Sequence, residues 1–502
     1  MKNCKVYLNE KVYEVNEGVC LGVFLRDNGF EGLVCGGHGK CGKCRVLCAG
    51  GLSEPTETEK KFLSDEDIKA GVRLACQTYI KGDCTIETDA GGKAVIKTDG
   101  EMPDLELAPV FQEYGAAVDI GTTTVALCLY GKSGELLSRQ SALNPQRRYG
   151  ADVVSRMEAA LKGDGDGITS VIRECICSLL SKAADEAGIK VCDIDGVVIT
   201  GNTVMLHFLT GTDTDPLTHA PFEVKRFFGE VMTAGELGFI VLYKDTPVYI
   251  PRCVAAFIGA DTVTAVLSSG IYKSGRTSVL TDIGTNGETV LVHGGVLTAC
   301  STAAGPAFEG AGISMGMGGS AGAIDKVYLN EDNEITAHVI GGGKPVGICG
   351  SGIVDAVAAL VRSGAADETG YMEDDPAVIA DPVVVTQKDI RAVQLAKSAI
   401  HAGIRTLLDL SGLSCGDVDA LYIAGGFGSY LDVSSAAYIG LIPSELEARV
   451  KVLGNAALSG ASAILLSKPL FDVSADIAKS VKVAELASNP VFAAEYMDRM
   501  YF

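Results

Sequence analysis

Two stretches of this 502-residue sequence carry the same turn. Residues 116–127 read AAVDIGTTTVAL, and residues 279–290 read VLTDIGTNGETV. Each stretch is an apolar run, an Asp-Ile-Gly-Thr turn and a second strand-forming run, a pattern that predicts a β-hairpin. One Asp-x-Gly turn is common and carries little information. Two copies in one chain indicate a duplicated unit.

A second pair of segments supports the duplication. Residues 196–202 and residues 421–428 are apolar strands that end in glycine-rich turns, and one of them follows each hairpin. The chain therefore repeats the order of a hairpin and then a strand with a glycine turn. We interpret the repeat as two α/β halves, at residues 116–275 and 276–502.

The residue types in these turns suit a bound phosphate. Glycine lets backbone N–H groups approach phosphate oxygens, and threonine hydroxyls donate to the same oxygens. An aspartate is repelled by bare phosphate, but it can hold the waters of a Mg²⁺ ion bound to that phosphate. Two facing hairpins would hold a triphosphate from both sides, with the later glycines beside the adenosine.

The first ninety residues have a different pattern. Residues 4–15 predict a β-hairpin, residues 20–28 a short helix, and residues 57–69 an acidic helical stretch. A glycine-rich loop and a later segment carry thiols at the spacing Cys-x5-Cys-x2-Cys-x31-Cys. These thiols belong to Cys35, Cys41, Cys44 and Cys76.

This cysteine spacing predicts a 2Fe–2S cluster. The plant-type pattern is Cys-x4-Cys-x2-Cys followed by a distant fourth cysteine. The additional residue in the first gap resembles the adrenodoxin-like variant of the same fold. Glycine N–H groups, together with Lys40 and Lys43, would stabilise the negatively charged cluster. We therefore predict an α+β, ferredoxin-like (β-grasp) domain over residues 1–88.

Other metal sites fit the pattern less well. A four-cysteine zinc site usually has two Cys-x2-Cys pairs, and this region has one. A Rieske centre needs two histidines, and only His38 is near. Cys48 could replace a ligand, but residues 45–47 are typical of a strand that leaves the loop. We interpret Cys48 and Cys84 as buried thiols.

Composition excludes several classes of function. The net charge is −21 and the sequence pI is about 4.8, which argues against nucleic acid and anionic membranes as partners. The sequence has no apolar run typical of a transmembrane helix. Its first residues lack the apolar core of a signal peptide, so we expect a cytoplasmic protein. Residues 89–115 are mixed, polar and punctuated by glycine and proline, and we interpret them as a linker.

The motifs from residue 116 to about residue 470 resemble the ASKHA superfamily of actin, hexokinase and heat-shock chaperones. The resemblance implies a duplicated, actin-like (ribonuclease H-like) α/β ATPase. The two hairpins look like its phosphate motifs, and residues 424–428 like its adenosine motif. Residues 255–262 and 350–357 look like its two connecting helices, whose small residues would let them cross closely.

A 2Fe–2S domain followed by an ASKHA ATPase resembles the reductive activators of corrinoid proteins. That resemblance implies that ATP drives one electron onto an inactivated Co(II) cobamide, which restores Co(I) for methyl transfer. The expected partners are a corrinoid protein of a methyltransferase system and an upstream low-potential electron donor, and a homodimer is left open. This sequence departs from the family in one respect. The connection between the 2Fe–2S domain and the ATPase is only about 30 residues long, whereas known members can carry an additional domain there.

The resemblance also implies roles for single residues. Asp119 and Asp282 would orient Mg²⁺ and its waters, and Asp261 or Glu309 would orient the attacking water, unless these two are structural. The contacts to phosphate and adenosine would come from Gly121, Thr122, Thr123, Gly284, Thr285, Asn286, Gly425, Gly426 and Gly428.

Three other functions remain open at this stage. The first is a small-molecule kinase with a fused redox domain, and the second is a chaperone-like ATPase. The third is an ATP-coupled electron donor to another low-potential enzyme, although such activators of dehydratases use a 4Fe–4S cluster. A related group carries a 4Fe–4S site near the C-terminus, but no cysteine follows Cys415 here.

Overall fold

The computed structural model describes residues 3–8, 11–28, 37, 39, 42, 44–87, 105–426 and 430–502. The chain divides into two compact units. The first consists of Met1–Ala94 with Pro145–Ala159, and the second of Val95–Asn144 with Ala160–Phe502. The domain boundaries given above, after residues 88, 115 and 275, stay predictions.

The first unit is built on one five-stranded mixed sheet with the strand order β2-β1-β5-β3-β4. The predicted hairpin is present, with Leu8 paired to Lys11, and β1 pairs in parallel with β5. The buried side chains of β1 and β5 form one hydrophobic core with Leu21 and Leu25 of the first helix. The elements of this unit are β1 (Asn3–Leu8), β2 (Lys11–Asn16), α1 (Leu21–Asp27), β3 (Arg45–Leu52), α2 (Asp65–Lys69), β4 (Val72–Leu74), β5 (Ile80–Glu87) and α3 (Val153–Ala159).

The acidic stretch at residues 57–69 is not one helix, and in this respect the sequence-based expectation is wrong. A 3-10 turn (Glu59–Lys61) and the short α2 replace it. In the 3-10 turn, Glu59 is fully buried and forms an ion pair with Arg73 (Oε1–Nε 2.9 Å). Helix α2 then starts separately, because the Ser64 hydroxyl oxygen accepts from the Asp67 N–H and the Asp67 carboxylate accepts from the Ser64 N–H, which is the pattern of a capping box.

The second unit contains two six-stranded sheets that share a five-strand pattern. Their strand orders are β10-β11-β9-β6-β7-β8 and β21-β20-β12-β13-β14-β22. In each sheet one later strand pairs in parallel with the first strand of a three-strand antiparallel meander, and a second later strand pairs in parallel with that one. The sixth strands differ, because β10 pairs antiparallel with β11 whereas β22 pairs in parallel with β14. The strands are β6 (Tyr114–Ile120), β7 (Thr124–Gly131), β8 (Leu136–Leu143), β9 (Ile194–Gly201), β10 (Glu230–Thr233), β11 (Pro247–Ile250), β12 (Ser278–Ile283), β13 (Gly287–His293), β14 (Val296–Thr302), β20 (Ala420–Ala424), β21 (Val450–Gly454) and β22 (Lys482–Val483).

This topology confirms the predicted duplicated α/β fold. Both Asp-Ile-Gly-Thr segments form the first turn of a meander, and both glycine-ended strands lie beside the hairpins. Ile120 pairs with Gly201 in one sheet, and Asp282 pairs with Ala424 in the other. The motif residues of each half therefore meet at one edge of its sheet.

The two sheets are accompanied by helices and by two small sheets. The small sheets have the orders β16-β15-β17 and β18-β19. Their strands are β15 (Ala323–Leu329), β16 (Ile335–Val339), β17 (Gly347–Ile348), β18 (Ala377–Ala380) and β19 (Val383–Val385). The helices are α4 (Gly165–Ala187), α5 (Thr203–Thr210), α6 (Ala260–Ser269), α7 (Gly350–Ser363), α8 (Gln387–Leu410), α9 (Val433–Tyr438), α10 (Ala456–Leu466), α11 (Pro469–Ser480) and α12 (Pro490–Asp498).

The close helix crossing differs from the predicted one. Helix α6, which contains the end of the segment 255–262, packs against α10, whereas α7 packs against β15. At the crossing, a Cβ atom on Gly460 would lie 2.0 Å from the backbone oxygen of Thr264. Residues 350–357 therefore do not form the partner of α6. The sequence Gly460-Ala461-Ser462 supplies the small residues that the crossing needs.

None of the helices in the described part of the chain combines the length and the hydropathy that crossing a membrane requires.

Candidate functional site

Two of the four predicted cluster ligands lie side by side in the first unit. Cys44 precedes β3 and Cys76 follows β4, and their sulfur atoms are 3.3 Å apart. This separation is too long for a disulfide bond, whose S–S length is about 2.05 Å. Two thiolates bound at about 2.3 Å to one tetrahedral metal ion would lie roughly 3.8 Å apart. Cys35 and Cys41 lie outside the described residues.

The surroundings of these sulfurs fit an iron–sulfur cluster. The Cys76 backbone N–H donates to Cys44 Sγ (3.5 Å), and Gln77 Nε2 donates to Cys76 Sγ (3.7 Å). Hydrogen bonds of this kind stabilise the negative charge of a cluster and its ligands. Gly39 has a positive φ of 67°, and a Cβ atom there would lie 2.7 Å from Gln77 Nε2. The positive φ favours glycine at this position, beside Gln77.

A buried hydrogen-bond network fixes the segment that carries Cys76. The Glu59 carboxylate accepts hydrogen bonds from Arg73, from the Leu74 backbone N–H and from the Thr78 hydroxyl. Burial alone would raise the pKa of Glu59, but the bonds from Arg73, Thr56 and Leu74 outweigh it and lower the pKa. The ionised carboxylate therefore holds both sides of Cys76 in place.

Two further thiols of the first unit are buried in its sheet. Burial raises the pKa of Cys48 to about 12 and that of Cys84 to about 11. A metal ligand must be the thiolate, so thiols that resist deprotonation are poor ligands. The geometry agrees with the interpretation of Cys48 and Cys84 as core residues.

Replacing Gln77 by leucine is expected to lower the reduction potential of the cluster. A hydrogen bond to a ligand sulfur favours the reduced form, which carries one more negative charge. One net hydrogen bond, of about 1 kcal/mol, corresponds to roughly 40 mV for one electron, and a weak bond to less. An EPR-monitored potential titration measures the shift, with an unchanged spectral line shape as the control. Equal potentials in the two proteins would contradict the assigned role of Gln77.

The predicted nucleotide residues of the second unit come together at the sheet edges. Asp119 and Asp282 are the next-to-last residues of β6 and β12, and the turns after them hold Gly121, Thr122, Thr123, Gly284, Thr285 and Asn286. Asp261 lies in the first turn of α6, where the Thr262 N–H donates to its Oδ1 (2.7 Å).

Three of these carboxyl groups interact electrostatically. Burial raises the pKa of Asp119 to about 7, Asp261 adds to the rise, and a hydrogen bond from Asn455 opposes it. Burial raises the pKa of Asp282 to about 7, and the charges of Asp261, Asp119 and Glu309 add to the rise. Burial raises the pKa of Asp261 to about 6. Carboxylates that raise one another's pKa repel each other, and a cation bound beside them would relieve this repulsion.

The carboxyl groups have the donor chemistry that a hard cation requires. Mg²⁺ binds oxygen ligands, commonly keeps several of its waters and takes only one or two carboxylates, with phosphate oxygens completing its shell. Within the described residues, no group of three or more His, Cys, Asp or Glu side chains could hold a metal ion directly.

The raised pKa values predict that rising pH removes stability from the ligand-free protein. Between about pH 4 and pH 7 the folded protein holds protons on Asp119 and Asp282 that the unfolded chain releases. Stability from these groups is therefore greatest below pH 4 and is lost as the pH rises to 7. The slope of Tm between pH 5 and pH 8 should be flatter in Asp119→Asn. An identical slope in the variant and the wild type would contradict the assignment.

Glu309 connects the two phosphate-type turns. Its carboxylate accepts hydrogen bonds from the Thr123 hydroxyl, in the first half, and from the Thr285 hydroxyl (2.7 Å) and N–H (3.2 Å), in the second half. A Cβ atom on Gly284 would lie 3.3 Å from Glu309 Oε1, so the carboxylate lies against the turn itself.

The predicted adenosine segment begins beside Asp282. Gly425 has a positive φ of 99°, and a Cβ atom there would lie 2.6 Å from Asp282 Oδ1. Glycine is needed at this position because the chain turns past the carboxylate. Gly426 is exposed, and among the described residues other than its chain neighbours no atom lies within 4 Å of its would-be Cβ. Gly428 lies outside the described residues.

Three polar residues of this site were missed by the sequence analysis. Asn455 Nδ2 donates to Asp119 Oδ2 (3.0 Å), and its Oδ1 caps α10. Asn144 Nδ2 donates to the Gly121 oxygen (2.8 Å). Glu288 pairs with Asp282 across β12 and β13, and burial raises its pKa well above the usual value. For Asn455 a signal existed: Gly454-Asn455 before a helix repeats Gly201-Asn202, whose asparagine caps α5.

Family models match three successive parts of the chain. Residues 6–81 match the 2Fe-2S iron-sulfur cluster binding domain. Residues 114–274 match the middle region of RACo, and residues 276–502 match the C-terminal domain of RACo, the ASKHA domain. These matches confirm the predicted fold of a 2Fe–2S domain followed by an ASKHA-type domain.

Whole-chain relatives give the same family. The "Corrinoid activation enzyme RamQ" of Eubacterium limosum is 32% identical, over 96% of this chain and 95% of that protein. The "[Co(II) methylated amine-specific corrinoid protein] reductase" of Methanosarcina barkeri is 25% identical over 76% of each chain. A solved structure titled "Reductive activator for corrinoid,iron-sulfur protein" covers 99% of this chain and 98% of its own, with 28% identity and a TM-score of 0.74. This chain therefore belongs to the family of reductive activators of corrinoid proteins.

Proposed function

We propose that this chain uses ATP to pass one electron to a corrinoid protein, which converts its Co(II) cobamide into the Co(I) form used for methyl transfer. One polypeptide combines a pair of adjacent thiols in a ferredoxin-type unit with a group of buried, interacting carboxyl groups in an ASKHA unit, and this observation carries the proposal. Electron transfer needs the first site, and coupling to a nucleotide needs the second.

The first unit supplies the electron-transfer site. Cys35, Cys41, Cys44 and Cys76 are the proposed ligands of a 2Fe–2S cluster, which supplies one-electron transfer when bound. The chain's own contribution is to hold the ligands in place through the Glu59–Arg73 network and to donate hydrogen bonds to the sulfurs.

In the second unit, the proposed roles follow the positions of the residues. Asp119 and Asp282 orient Mg²⁺ and its waters, and Asn455 fixes the orientation of Asp119. Asp261 or Glu309 orients the attacking water. Backbone and hydroxyl groups of the two turns bind phosphate, and the segment after β20 lies beside adenosine. The phosphate and adenosine residues are Gly121, Thr122, Thr123, Gly284, Thr285, Asn286, Gly425, Gly426 and Gly428.

The energy of the electron transfer explains why a nucleotide is used. A plant-type cluster has a potential of about −400 mV, and formation of Co(I) generally lies lower. For one electron, a gap of ~100 mV costs about 2.3 kcal/mol. Differential binding of a nucleotide to two conformations of the protein can supply an energy of this size.

EPR spectroscopy under strict anoxia tests the proposal. The chemically reduced protein is mixed with a Co(II) corrinoid protein, with and without Mg-ATP, and the Co(II) signal is followed. We expect the signal to disappear only with ATP. A Co(II) signal that persists across a panel of corrinoid proteins, beside a normal 2Fe–2S spectrum, would overturn the proposal. The assay also requires a low-potential donor, a role for which we propose a separate protein in the cell.

A further inference from the structure

The two phosphate-type turns donate their hydrogen bonds to a side chain of the protein itself. The hydroxyl groups of Thr123 and Thr285 and the Thr285 N–H all point to the carboxylate of Glu309. These are the groups that the proposed function assigns to phosphate. A carboxylate and a phosphate are both anions that accept hydrogen bonds from such donors, so the two cannot use the same donors together.

We propose that Glu309 is a displaceable occupant of the phosphate position. It joins the two turns while the site holds no nucleotide, and the phosphate groups of an arriving nucleotide displace it from their donors. Any role of Glu309 in orienting the attacking water then belongs to its displaced position. The inference rests on the proposed function, because it requires that a nucleotide binds between the two turns. It adds a sensing step, in which binding is converted into movement of the segment that carries Glu309.

The backbone around Glu309 allows such a movement. Glu309 ends a single 3-10 turn (Pro306–Glu309) that lies between Gly305 and Gly310, whose φ values are 78° and 76°. Hydrogen bonds within this turn are local: Gly310 N–H donates to Ala307 and Ala311 N–H to Pro306. Ala307 and Phe308 of the turn are buried in the core, so displacement would move the Glu309 side chain and the chain that follows it from Gly310 onward, rather than the whole turn.

The segment after Glu309 leads away from the nucleotide site. The Ser314 N–H donates to Asp389 Oδ1 (2.7 Å), in the first turn of α8. The Met317 N–H donates to the Ile348 oxygen (2.9 Å), and Ile348 pairs with β15. A shift of Glu309 would therefore move groups that contact the start of α8 and the small sheet β16-β15-β17. These are the surfaces where a nucleotide-dependent change should appear.

Nucleotide affinity and hydrogen exchange test the inference in the full-length holoprotein. Because Glu309→Ala removes the competing anion, we expect it to bind Mg-AMPPNP more tightly, by roughly tenfold. Inorganic phosphate, as the minimal probe, should also bind more tightly. In the wild type, Mg-AMPPNP should increase amide exchange over residues 310–317. In Glu309→Ala that segment should exchange rapidly before any nucleotide is added.

Glu288→Gln is the matched control. It changes a buried carboxyl group that interacts electrostatically with Asp261 and Asp282 but accepts a hydrogen bond from Ser301 (3.2 Å) rather than from the two turns. Equal tightening by both substitutions would show general charge repulsion and overturn the inference. Unchanged or weaker binding by Glu309→Ala would also overturn it. If neither the wild type nor any variant bound nucleotide or phosphate, the proposed nucleotide site itself would be wrong, a separate outcome from the first two.

Discussion

Replacing Cys44 by serine is expected to abolish electron transfer while leaving the ATPase unit folded. Cys44 lies 3.3 Å from Cys76, so its loss removes one of two sulfurs that converge on the same point. A hydroxyl group is a much harder ligand and is rarely deprotonated at neutral pH, so it holds iron poorly. We expect the visible 2Fe–2S absorption to be lost and the Co(II) reduction rate to fall by roughly a hundredfold or more.

The matched control is Cys48→Ser, which makes the same chemical change four residues away. Cys48 is a buried thiol of β3, and its hydrogen-bond partner is the backbone oxygen of Val46. This variant should keep the cluster and its spectrum, with at most a modest loss of stability from the buried hydroxyl group. If Cys48→Ser lost the cluster while Cys44→Ser kept it, the ligand assignment would be wrong.

The ferredoxin-type unit was largely predictable because its signals are local. The β1–β2 hairpin, α1 and β3 follow from residue alternation and from the thiol spacing. The break in the segment 57–69 was not predictable in the same way. The 3-10 turn before the break is held by Glu59 and Arg73, a contact that only the folded sheet creates. A glutamate in an acidic stretch gives no sign, in sequence, that it is the buried partner of an arginine.

In the ATPase unit, the repeated turns predicted the topology, but the helix crossing was assigned to the wrong segment. Both α7 and α10 are rich in small residues, so composition could not decide between them. The difference is tertiary: Gly460 of α10 meets the Thr264 backbone, whereas Gly352 of α7 would place a Cβ 2.2 Å from the Ile324 oxygen. Small residues indicate close contact and do not identify the partner.

Asn455 was missed because its pattern has a simpler explanation. It reaches Asp119 from a segment more than three hundred positions away, and an asparagine before a helix is also the pattern of an ordinary N-cap. Its side chain performs both functions, because the oxygen caps α10 and the nitrogen donates to Asp119. The sequence identified Asp119 from its own motif and did not identify the residue that orients it.

Replacing Asp282 by asparagine is expected to abolish ATP-dependent reduction of the corrinoid protein. Asp282 is the residue on which the charges of the site converge, because Asp261, Asp119 and Glu309 all raise its pKa. An amide of the same shape keeps the packing against Gly425 and removes the negative charge that a Mg-nucleotide requires. We expect ATP hydrolysis to fall by roughly a hundredfold. The absorption and potential of the cluster should not change, because the first unit is untouched.

The control for Asp282→Asn is Asp355→Asn in the same unit. Asp355 is also buried, and burial raises its pKa to about 6, but it interacts with Val327 and Ser435 rather than with the phosphate-type turns. The control should keep nucleotide affinity, measured by calorimetry with Mg-AMPPNP, and should keep ATP-dependent loss of the Co(II) EPR signal. If both variants lost nucleotide affinity and corrinoid reduction equally, each buried carboxyl group would be needed only for folding. Full activity in Asp282→Asn would remove Asp282 from the nucleotide site.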